Sequence, residues 1–424
     1  MNIIGYSLRS AMCVVLLAAA ALAQSSAAQP KRETLLNGLK VVMQPDNSVQ
    51  KVEIRVRIHS GAAFDPQGKE GVMKLIAENI FPNETARDYF KEDLGGSLEI
   101  RTTYDYIEIR ATGRSDAFLQ MMETLASAVA NPTIDKETTA KLRATMLESL
   151  KKYEADPVYV ADRAIAKRMF GTFPYGRPVF GSSASIVRIE FPDLIDAKQR
   201  FLTADDATVS ITGNFDRSLG LKAAKRFFGA WLKSDKRVPS TFRQPDAPPP
   251  GVETIQSPTP DTGAIRFAVR GVARKDKDLA AARIFAYVLA DRLRARVPAD
   301  HANDIFVRSE ERTLPGIFII GFNIKRNAGS DNKIEAATLL SAALATAATD
   351  AEFASAKQRF ADEWHKKDAA SFWLDADTYG IANIDLDMKA ADNASIADVN
   401  AFAERLRKAP MASVLVNTPS PVQQ

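Results

Sequence analysis

The stretch Gly68-Lys-Glu-Gly-Val-Met-Lys-Leu-Ile-Ala-Glu-Asn-Ile-Phe81 is the segment from which the fold can be deduced. From Lys69 onward its apolar residues recur three and four positions apart, a spacing that predicts an amphipathic helix. The preceding segment Val52-Glu-Ile-Arg-Val-Arg-Ile58 alternates apolar and polar residues, as a half-buried strand does. The sequence therefore predicts a strand, a connection and a helix over residues 52–81.

The second half of the chain repeats this order about 210 residues later. Ala264-Ile-Arg-Phe-Ala-Val-Arg270 alternates in the same way, and residues 278–292 again have helical periodicity. Each half also ends in a short β-branched run, at residues 207–212 and 411–416, which predicts a buried strand. The two halves are therefore predicted to be diverged copies of one structural unit.

Between these ends, each half is predicted to contain a central strand region followed by long helices. In the first half, residues 98–110 have the pattern of two strands, and helices are predicted at 118–130 and 136–154. In the second half, a strand is predicted at 316–324 and helices at 333–349 and 351–366. Strands clustered with helices, without regular β-α-β alternation, indicate the α+β class.

Length and proline content predict the domain boundaries. A chain of 424 residues is too long for one ordinary core and fits two domains. Residues 239–260 hold seven of the 21 prolines, and proline this dense blocks helices and central strands. We predict an N-terminal domain at 30–238, a linker at 239–260 with an edge strand beginning near Val252, and a C-terminal domain at 261–420.

The N-terminus has the pattern of a secretory signal peptide. Arg9 precedes an apolar run over residues 11–23, and Ala21 and Ala23 supply small residues at a cleavage site, with a second candidate site after Ala28. The run is shorter than the roughly 20 residues that span a bilayer, which argues against a membrane anchor. We expect residues 1–23 to be removed. The mature chain then has no cysteine, because Cys13 is the only one, and we expect a periplasmic location.

The charge pattern argues against nucleic-acid binding. The formal net charge is +4, both signs are mixed along the chain, and no basic stripe interleaved with aromatic residues is present. With 46% hydrophobic and 25% charged residues, the composition is that of a globular protein with a substantial core.

Several segments together resemble the insulinase/pitrilysin family of zinc metallopeptidases, whose metal helix carries the motif H-x-x-E-H. The order and spacing of these segments carry the resemblance, which spans most of residues 34–420. It implies two homologous α+β domains, each a mostly antiparallel sheet packed with helices, arranged as a clamshell around peptide. Besides the helix, the similar segments are Leu36-Asn-Gly-Leu-Lys-Val-Val42, the lead-in 59–71, Gly95-Gly-Ser-Leu98, Asp156-Pro157 with Phe173-Pro-Tyr-Gly-Arg-Pro-Val-Phe-Gly181, and Gly213-Asn-Phe-Asp216.

The chain departs from this family at the zinc site. The five motif positions are Lys74-Leu-Ile-Ala-Glu78, so both metal-binding histidines and the catalytic glutamate are missing. The alignment implied by the resemblance also places Ser149 where the family has its third ligand, a glutamate. Glu148 is adjacent, but one residue on a helix is about 100° of rotation, so it is expected to point elsewhere. The three histidines contain no pair four residues apart. We therefore expect no metal cofactor.

The resemblance also implies positions that contact substrate. Glu99 stands where the family usually has asparagine on a strand beside the substrate. In the second half, the family's arginine and tyrosine align with Arg296 and Asn303, so the tyrosine is missing. Arg294 with His301 is the competing alignment.

Two interpretations of Lys74 and Glu78 remain open. They are either an ordinary helical pair four residues apart, or Lys74 replaces the charge of the missing zinc and holds Glu78, with Glu148 as a further partner. His59, which starts a turn after the predicted strand, is expected to be a surface or capping residue.

Three functional hypotheses follow. The first is a non-catalytic chain that holds peptide or unfolded polypeptide and pairs with a homologous zinc-bearing peptidase subunit. The second is a stand-alone peptide-binding or chaperone-like protein. The third is an active zinc metallopeptidase with an unusual metal set.

Overall fold

The computed structural model describes residues 30–234, 243–325 and 336–417. The predicted signal peptide, Cys13 and residues 235–242 lie outside the described residues. The fold is α+β, as the sequence predicts, with one six-stranded sheet, one five-stranded sheet and helices packed on both. The two domains face each other as a clamshell. None of the described helices combines the length and the apolar content that crossing a bilayer requires.

The first sheet comprises Lys31–Thr34 (β1), Lys40–Pro45 (β2), Lys51–Ile58 (β3), Ser97–Thr102 (β4), Ile107–Arg114 (β5) and Ala207–Gly213 (β6). Its strand order is β1-β2-β6-β3-β5-β4. The β2–β6 pair is parallel and the other neighbours are antiparallel. Val52, Ile54 and Val56 of β3 point to one face and are fully buried in the core of the first half. Each such side chain stabilises the fold by about 1.5–3 kcal/mol.

The helices of the first half pack on that apolar face, apart from one that crosses to the second sheet. The predicted helices at 118–130 and 136–154 are confirmed residue for residue. The full set is Val72–Ile80 (α1), Glu84–Glu92 (α2), Phe118–Ala130 (α3), Lys136–Glu154 (α4), Pro157–Phe170 (α5), Ser183–Ile186 (α6), Phe191–Phe201 (α7) and Arg217–Phe228 (α8).

Helix α1 begins three residues later than its periodicity predicts. Gly71 adopts a φ of +104°, a left-handed conformation that favours glycine and separates the loop from the helix. The buried carboxylate of Asp65 then accepts hydrogen bonds from the backbone N–H groups of Gly71 and Met73, both at 2.7 Å. These bonds satisfy N–H groups at the helix start that have no partner within the helix.

The second sheet comprises Gly251–Gln256 (β7), Thr262–Arg270 (β8), Ile305–Glu310 (β9), Ile317–Lys325 (β10) and Ala412–Asn417 (β11), in the order β7-β11-β8-β10-β9. The predicted edge strand near Val252 is therefore confirmed as β7, whereas β9 was not predicted. The helices are Leu279–Arg294 (α9), Ala336–Leu344 (α10), Asp350–His365 (α11), Ala369–Tyr379 (α12), Ile384–Met388 (α13) and Ile396–Lys408 (α14). Helix α10 ends five residues before its predicted end at 349, and residues 333–335 lie outside the described residues.

The predicted repeat is confirmed by the strand order. Without β1, the first sheet runs β2-β6-β3-β5-β4, and the second runs β7-β11-β8-β10-β9. The parallel pair is β2–β6 in the first sheet and β7–β11 in the second, and both pairs occupy the same end of this order. The strands that bound the sheets on the opposite side, β4 and β9, are therefore equivalent.

The two halves exchange helices across their interface. Helix α5 belongs to the first half but packs on β8 and β11 of the second sheet, and α12 belongs to the second half but packs on β2 and β6 of the first. The prediction that β3 is half-buried is therefore wrong. Arg55 and Arg57 on its second face are only 7% and 4% exposed. Their guanidiniums are buried against carboxylates at the start and in the middle of α12.

Candidate functional site

A cavity of about 580 Å³ lies between the two sheets. Residues of β4 and α5 form one side, residues of β9 and β10 form the other, and Lys74 of α1 reaches it from the position of the missing zinc motif. Its polar and aromatic lining residues are Lys74, Arg101, Thr102, Thr103, Tyr104, Asp105, Tyr106, Tyr159, Asp162, Arg163, Phe180, Arg308, Glu310, Glu311, Arg312 and Tyr379. A cavity of this size and mixed polarity is typical of a ligand-binding site.

A close approach of two loops positions the Lys74 end of the cavity. The Cα of Gly181 lies so near the loop before α1 that a Cβ there would be 2.4 Å from the backbone oxygen of Glu70. Only glycine avoids this clash, and its φ of +75° also favours glycine. The adjacent Phe180 consequently lies beside α1, where the Lys74 Nζ is 5.6 Å from the centroid of its ring.

Lys74 and Glu78 form an ion pair within α1. Both side chains are 20% exposed, and Arg87 approaches the second Glu78 oxygen at 3.9 Å. Among the residues that the structure describes, Glu148 makes no ion pair with Lys74, and both Glu148 and Ser149 are exposed on α4. The Lys74–Glu78 pair is common to both interpretations of these residues, and Glu148 is not a further partner.

The residues at the four positions that bind or activate zinc in the family, here Lys74, Ala77, Glu78 and Ser149, do not fit a zinc ion. Lys74 carries a positive charge that repels a dication, Ala77 has no donor atom and is fully buried, and Glu78 is already paired with Lys74. Zinc in proteins is bound by several Cys, His or carboxylate ligands at about 2.0–2.3 Å. Within residues 30–234, 243–325 and 336–417, no group of three or more His, Cys, Asp or Glu is placed to hold a metal.

Arg312 forms the floor of the cavity together with two tyrosines. Its guanidinium carbon lies 3.7 Å from the ring centroid of Tyr104 and 4.8 Å from that of Tyr175, close enough for cation–π attraction. Arg163 Nη1 donates to the Tyr104 hydroxyl at 3.3 Å, and that hydroxyl donates to a backbone oxygen. Burial alone would raise the pKa of Tyr104, but the charges of Arg163 and Arg312 outweigh burial and lower it. The floor is therefore electropositive.

Asp105 is the carboxylate that lies deepest at this floor. It is buried, and its Oδ1 accepts hydrogen bonds from the Tyr175 hydroxyl and the Thr313 backbone N–H, both at 3.2 Å. Burial raises the pKa of Asp105 despite these bonds and despite the nearby charge of Arg312. These two hydrogen bonds tie Asp105 to Tyr175 and to the loop that carries Arg312.

The structure places the predicted substrate-contacting residues at the surface. Glu99 of β4, Arg296 after α9 and Asn303 before β9 are all exposed, and none of the three lines the cavity. In the competing alignment, Arg294 donates to the backbone oxygen of Ile305, and His301 lies 3.8 Å from two aspartates. Their roles in peptide binding stay predictions.

His59 is half-buried between the two halves, rather than exposed as the sequence leads us to expect. Its two ring nitrogens lie 2.9 Å from the hydroxyls of Thr208 on β6 and Thr378 on α12, so it bridges the two halves. Burial lowers its pKa to about 3, with Lys40 and Arg57 adding to the effect and Asp377 opposing it. The imidazole is therefore neutral at neutral pH and serves as an uncharged bridge.

Sequence reasoning missed the arginines of the cavity. Arg101, Arg163, Arg308 and Arg312 come from a strand, a helix, another strand and a loop that are distant in sequence. One signal was available: Tyr159, Asp162, Arg163 and Ala166 recur at positions i, i+3, i+4 and i+7 of α5, which marks one helix face. The sequence of α5 and its neighbours does not indicate that this helix face borders a cavity.

Two family models match the chain. The model of the insulinase peptidase family M16 matches residues 40–183, and the model of the peptidase M16 inactive domain matches residues 188–360. An uncharacterised zinc protease of Bacillus subtilis is 22% identical over 211 residues, which is 49% of this chain and 51% of that protein. The chain spans about half the length of the curated relatives it matches.

Solved structures share the fold over nearly the whole chain. A peptidase M16 inactive domain from Pseudomonas fluorescens has a TM-score of 0.81 at 19% identity, covering 93% of this chain and 99% of its own. A chain of complex III2 from Candida albicans has a TM-score of 0.73 at 16% identity, covering 91% and 95%. At these identities the likeness concerns the fold alone.

Proposed function

Because the chain belongs to the insulinase family of peptidases, M16, and lacks the family's zinc-binding motif, we propose that it is a non-catalytic, periplasmic peptide-holding protein. It holds an extended peptide in the cavity between its two sheets. It acts as one subunit of a complex whose other subunit is a homologous zinc-bearing peptidase. The periplasmic location rests on the signal-like sequence of residues 1–23.

The observation that carries this proposal is a pair of strand edges beside a cavity that is also lined by Lys74, at the first position of the family's zinc motif. In the described part of the chain, β4 pairs with β5 alone and β9 with β10 alone, so each keeps one row of backbone N–H and C=O groups without a strand partner. Residues of both strands line the cavity. An extended peptide can add to such an edge through backbone hydrogen bonds, which give affinity without chemistry on the peptide.

Peptide binding is tested by fluorescence anisotropy with the full chain and a labelled ten-residue peptide. The matched control is the same peptide with alternate backbone amides N-methylated, which removes donors without changing the side chains. The unmodified peptide is expected to bind at least tenfold more tightly. Equal affinity for both peptides would show that strand addition is not the binding mode, and absence of any binding would refute the holding function.

The partner is tested by light scattering and by peptidase assays. A zinc-bearing M16 chain from the same source is mixed with this chain, and a stable hetero-oligomer with increased cleavage of a quenched peptide is expected. If the mixture stays monomeric and the zinc-bearing chain is fully active alone, the subunit role fails. Retained peptide binding would then favour the stand-alone peptide-binding or chaperone-like alternative. Metal analysis of the purified chain tests the third alternative, since tightly held stoichiometric zinc would contradict a non-catalytic role.

A further inference from the structure

The cavity between the sheets is lined by more positive than negative groups. Five cationic side chains face four carboxyl groups along its wall. The cations are Lys74, Arg101, Arg163, Arg308 and Arg312, and the carboxyls are Asp105, Asp162, Glu310 and Glu311.

Three of these carboxylates already have cationic partners. Asp162 accepts from Arg266, which lies behind the wall, at 2.5 Å, and from Arg308 at 3.2 Å. Glu311 pairs with Arg283, which also lies outside the lining, at 2.7 Å. Glu310 lies 3.1 Å from Arg312 and 3.4 Å from Arg308. The fourth carboxyl, Asp105, is the buried group whose pKa is raised. Each carboxyl of the wall therefore already has an ionic or hydrogen-bonding partner.

Arg101 and Arg163 are the two lining arginines that form no ion pair within the described residues. Arg101 is exposed at the edge strand β4 and has no ion-pair partner within the described residues. Arg163 donates to neutral acceptors, the Tyr104 hydroxyl and the Gly176 backbone oxygen at 2.9 Å. Both arginines line the same cavity, and the Tyr104 hydroxyl that Arg163 contacts belongs to the loop that follows β4. Glu99, two residues before Arg101 on β4, lies outside this lining.

We propose that the cavity selects peptides that carry a carboxylate and binds that carboxylate with Arg101 and Arg163. This inference rests on the proposed peptide-holding function and specifies which peptides are held. Guanidiniums in a cleft form charge-assisted, often bidentate hydrogen bonds to carboxylates. The surrounding low-dielectric walls strengthen such attraction and raise the local concentration of anionic ligands. The carboxylate can come from an acidic side chain or from the C-terminus of the peptide.

Four labelled peptides of equal length distinguish these sources in anisotropy titrations with the full chain. One is neutral with an amidated C-terminus, one has central glutamates and an amidated C-terminus, one is neutral with a free C-terminal carboxylate, and one has lysines at the glutamate positions. We expect at least one carboxylate-bearing peptide to bind about tenfold more tightly than the neutral amide, and the lysine peptide to bind most weakly.

Two variants assign the preference to the arginines. Arg101→Gln and Arg163→Gln are each expected to reduce the ratio of the affinity for a carboxylate-bearing peptide to the affinity for the neutral amide about threefold to tenfold. Arg226→Gln, an exposed change on α8 outside the cavity, is the matched control and should preserve the preference. Because Arg101 is exposed, its variant is expected to fold even if the Arg163 variant does not.

The outcomes separate the selectivity from the holding function. Equal binding of all four peptides, or a carboxylate preference unchanged in Arg101→Gln and Arg163→Gln, overturns the selectivity while the holding function stands. Absence of binding by every peptide overturns both.

Discussion

Replacing Asp375 by asparagine is predicted to weaken the contact between the two halves. Asp375 lies in the middle of α12 and is 7% exposed. Its Oδ1 accepts from Arg57 of the first sheet at 2.8 Å, and its Oδ2 lies 3.2 Å from Arg274 and also pairs with Lys367. Burial alone would raise the pKa of Asp375, but these three cations outweigh burial and lower it to about 2.

The expected loss of stability depends on which of the three cations around Asp375 keep another carboxylate. Arg57 retains Glu108 at 2.6 Å, and Arg274 retains Asp387 at 2.7 Å, whereas Lys367 has no second carboxylate in the described chain. Removing one partner of a buried ion pair costs about 3–5 kcal/mol, because the charge left behind stays desolvated. For a cooperative unit of about 200 residues, this corresponds to a fall in Tm of roughly 6–15 °C.

Differential scanning calorimetry of wild type and Asp375→Asn is the direct assay. The exposed Asp116, which pairs with Arg114 at the surface, gives the control variant Asp116→Asn, and no measurable change in Tm is expected for it. The contribution of the Asp375 carboxylate to folding stability should be fully present above the unfolded pKa of about 3.9 and be lost as the pH falls toward 2. The difference in Tm between wild type and variant should therefore shrink as the pH falls through that window. A Tm for Asp375→Asn within 2 °C of wild type at neutral pH would refute the reasoning.

Three further predictions concern other buried groups. Asp162→Asn leaves Arg266, which is 0% exposed, without its carboxylate and should destabilise the protein by about 3–5 kcal/mol in urea unfolding; a loss under 1 kcal/mol would contradict the role of this pair. Ala77→Glu restores the family's glutamate at a fully buried position and should cost about 2–5 kcal/mol, measured in the same way with the exposed Glu123→Ala as control. The pKa of His59 is about 3 in the folded state and about 6.5 when unfolded. Between these pH values the unfolded state binds more protons, so folding stability should fall as the pH decreases through this window. His59→Gln should reduce that fall between pH 6.5 and 4.5 in urea midpoints, and identical slopes for wild type and variant would contradict a buried neutral imidazole.

The local elements could be predicted because their determinants are local. The helices Phe118–Ala130 and Lys136–Glu154 match the predicted ranges since each has continuous 3.6-residue periodicity between clear breaks. The repeat could be predicted because both halves place an alternating strand before a helix. Helix α10 is shorter than predicted, and the alanine-rich run at 341–349 has too few large apolar residues to locate the helix end.

The interface between the halves could not be predicted, because its determinants come from opposite ends of the chain. The alternation of β3 correctly predicts that Val52 and Val56 face the core, but it assigns Arg55 and Arg57 to solvent. Those arginines are buried only because α12, more than 300 residues later, supplies Asp368 and Asp375. His59 was misassigned for the same reason, since Thr378 is one of its two partners. The loss of the residues of the H-x-x-E-H motif, in contrast, can be read directly from the sequence of α1.

The exchanged helices also bear on how a peptide is held. Separating the two sheets would lift α5 from the second sheet and α12 from the first, which would break the pairs Asp162–Arg266 and Asp375–Arg57. Because breaking buried pairs is costly, these pairs oppose a change in the separation between β4 and β9 on the two sides of the cavity. A peptide that enters between them meets edges and arginines that are already positioned, so little ordering of the protein opposes binding. Affinity should then depend on the backbone bonds to a strand edge, and selectivity on the charge of the wall, which is why the N-methylated and the carboxylate-bearing peptides test separate parts of the same site.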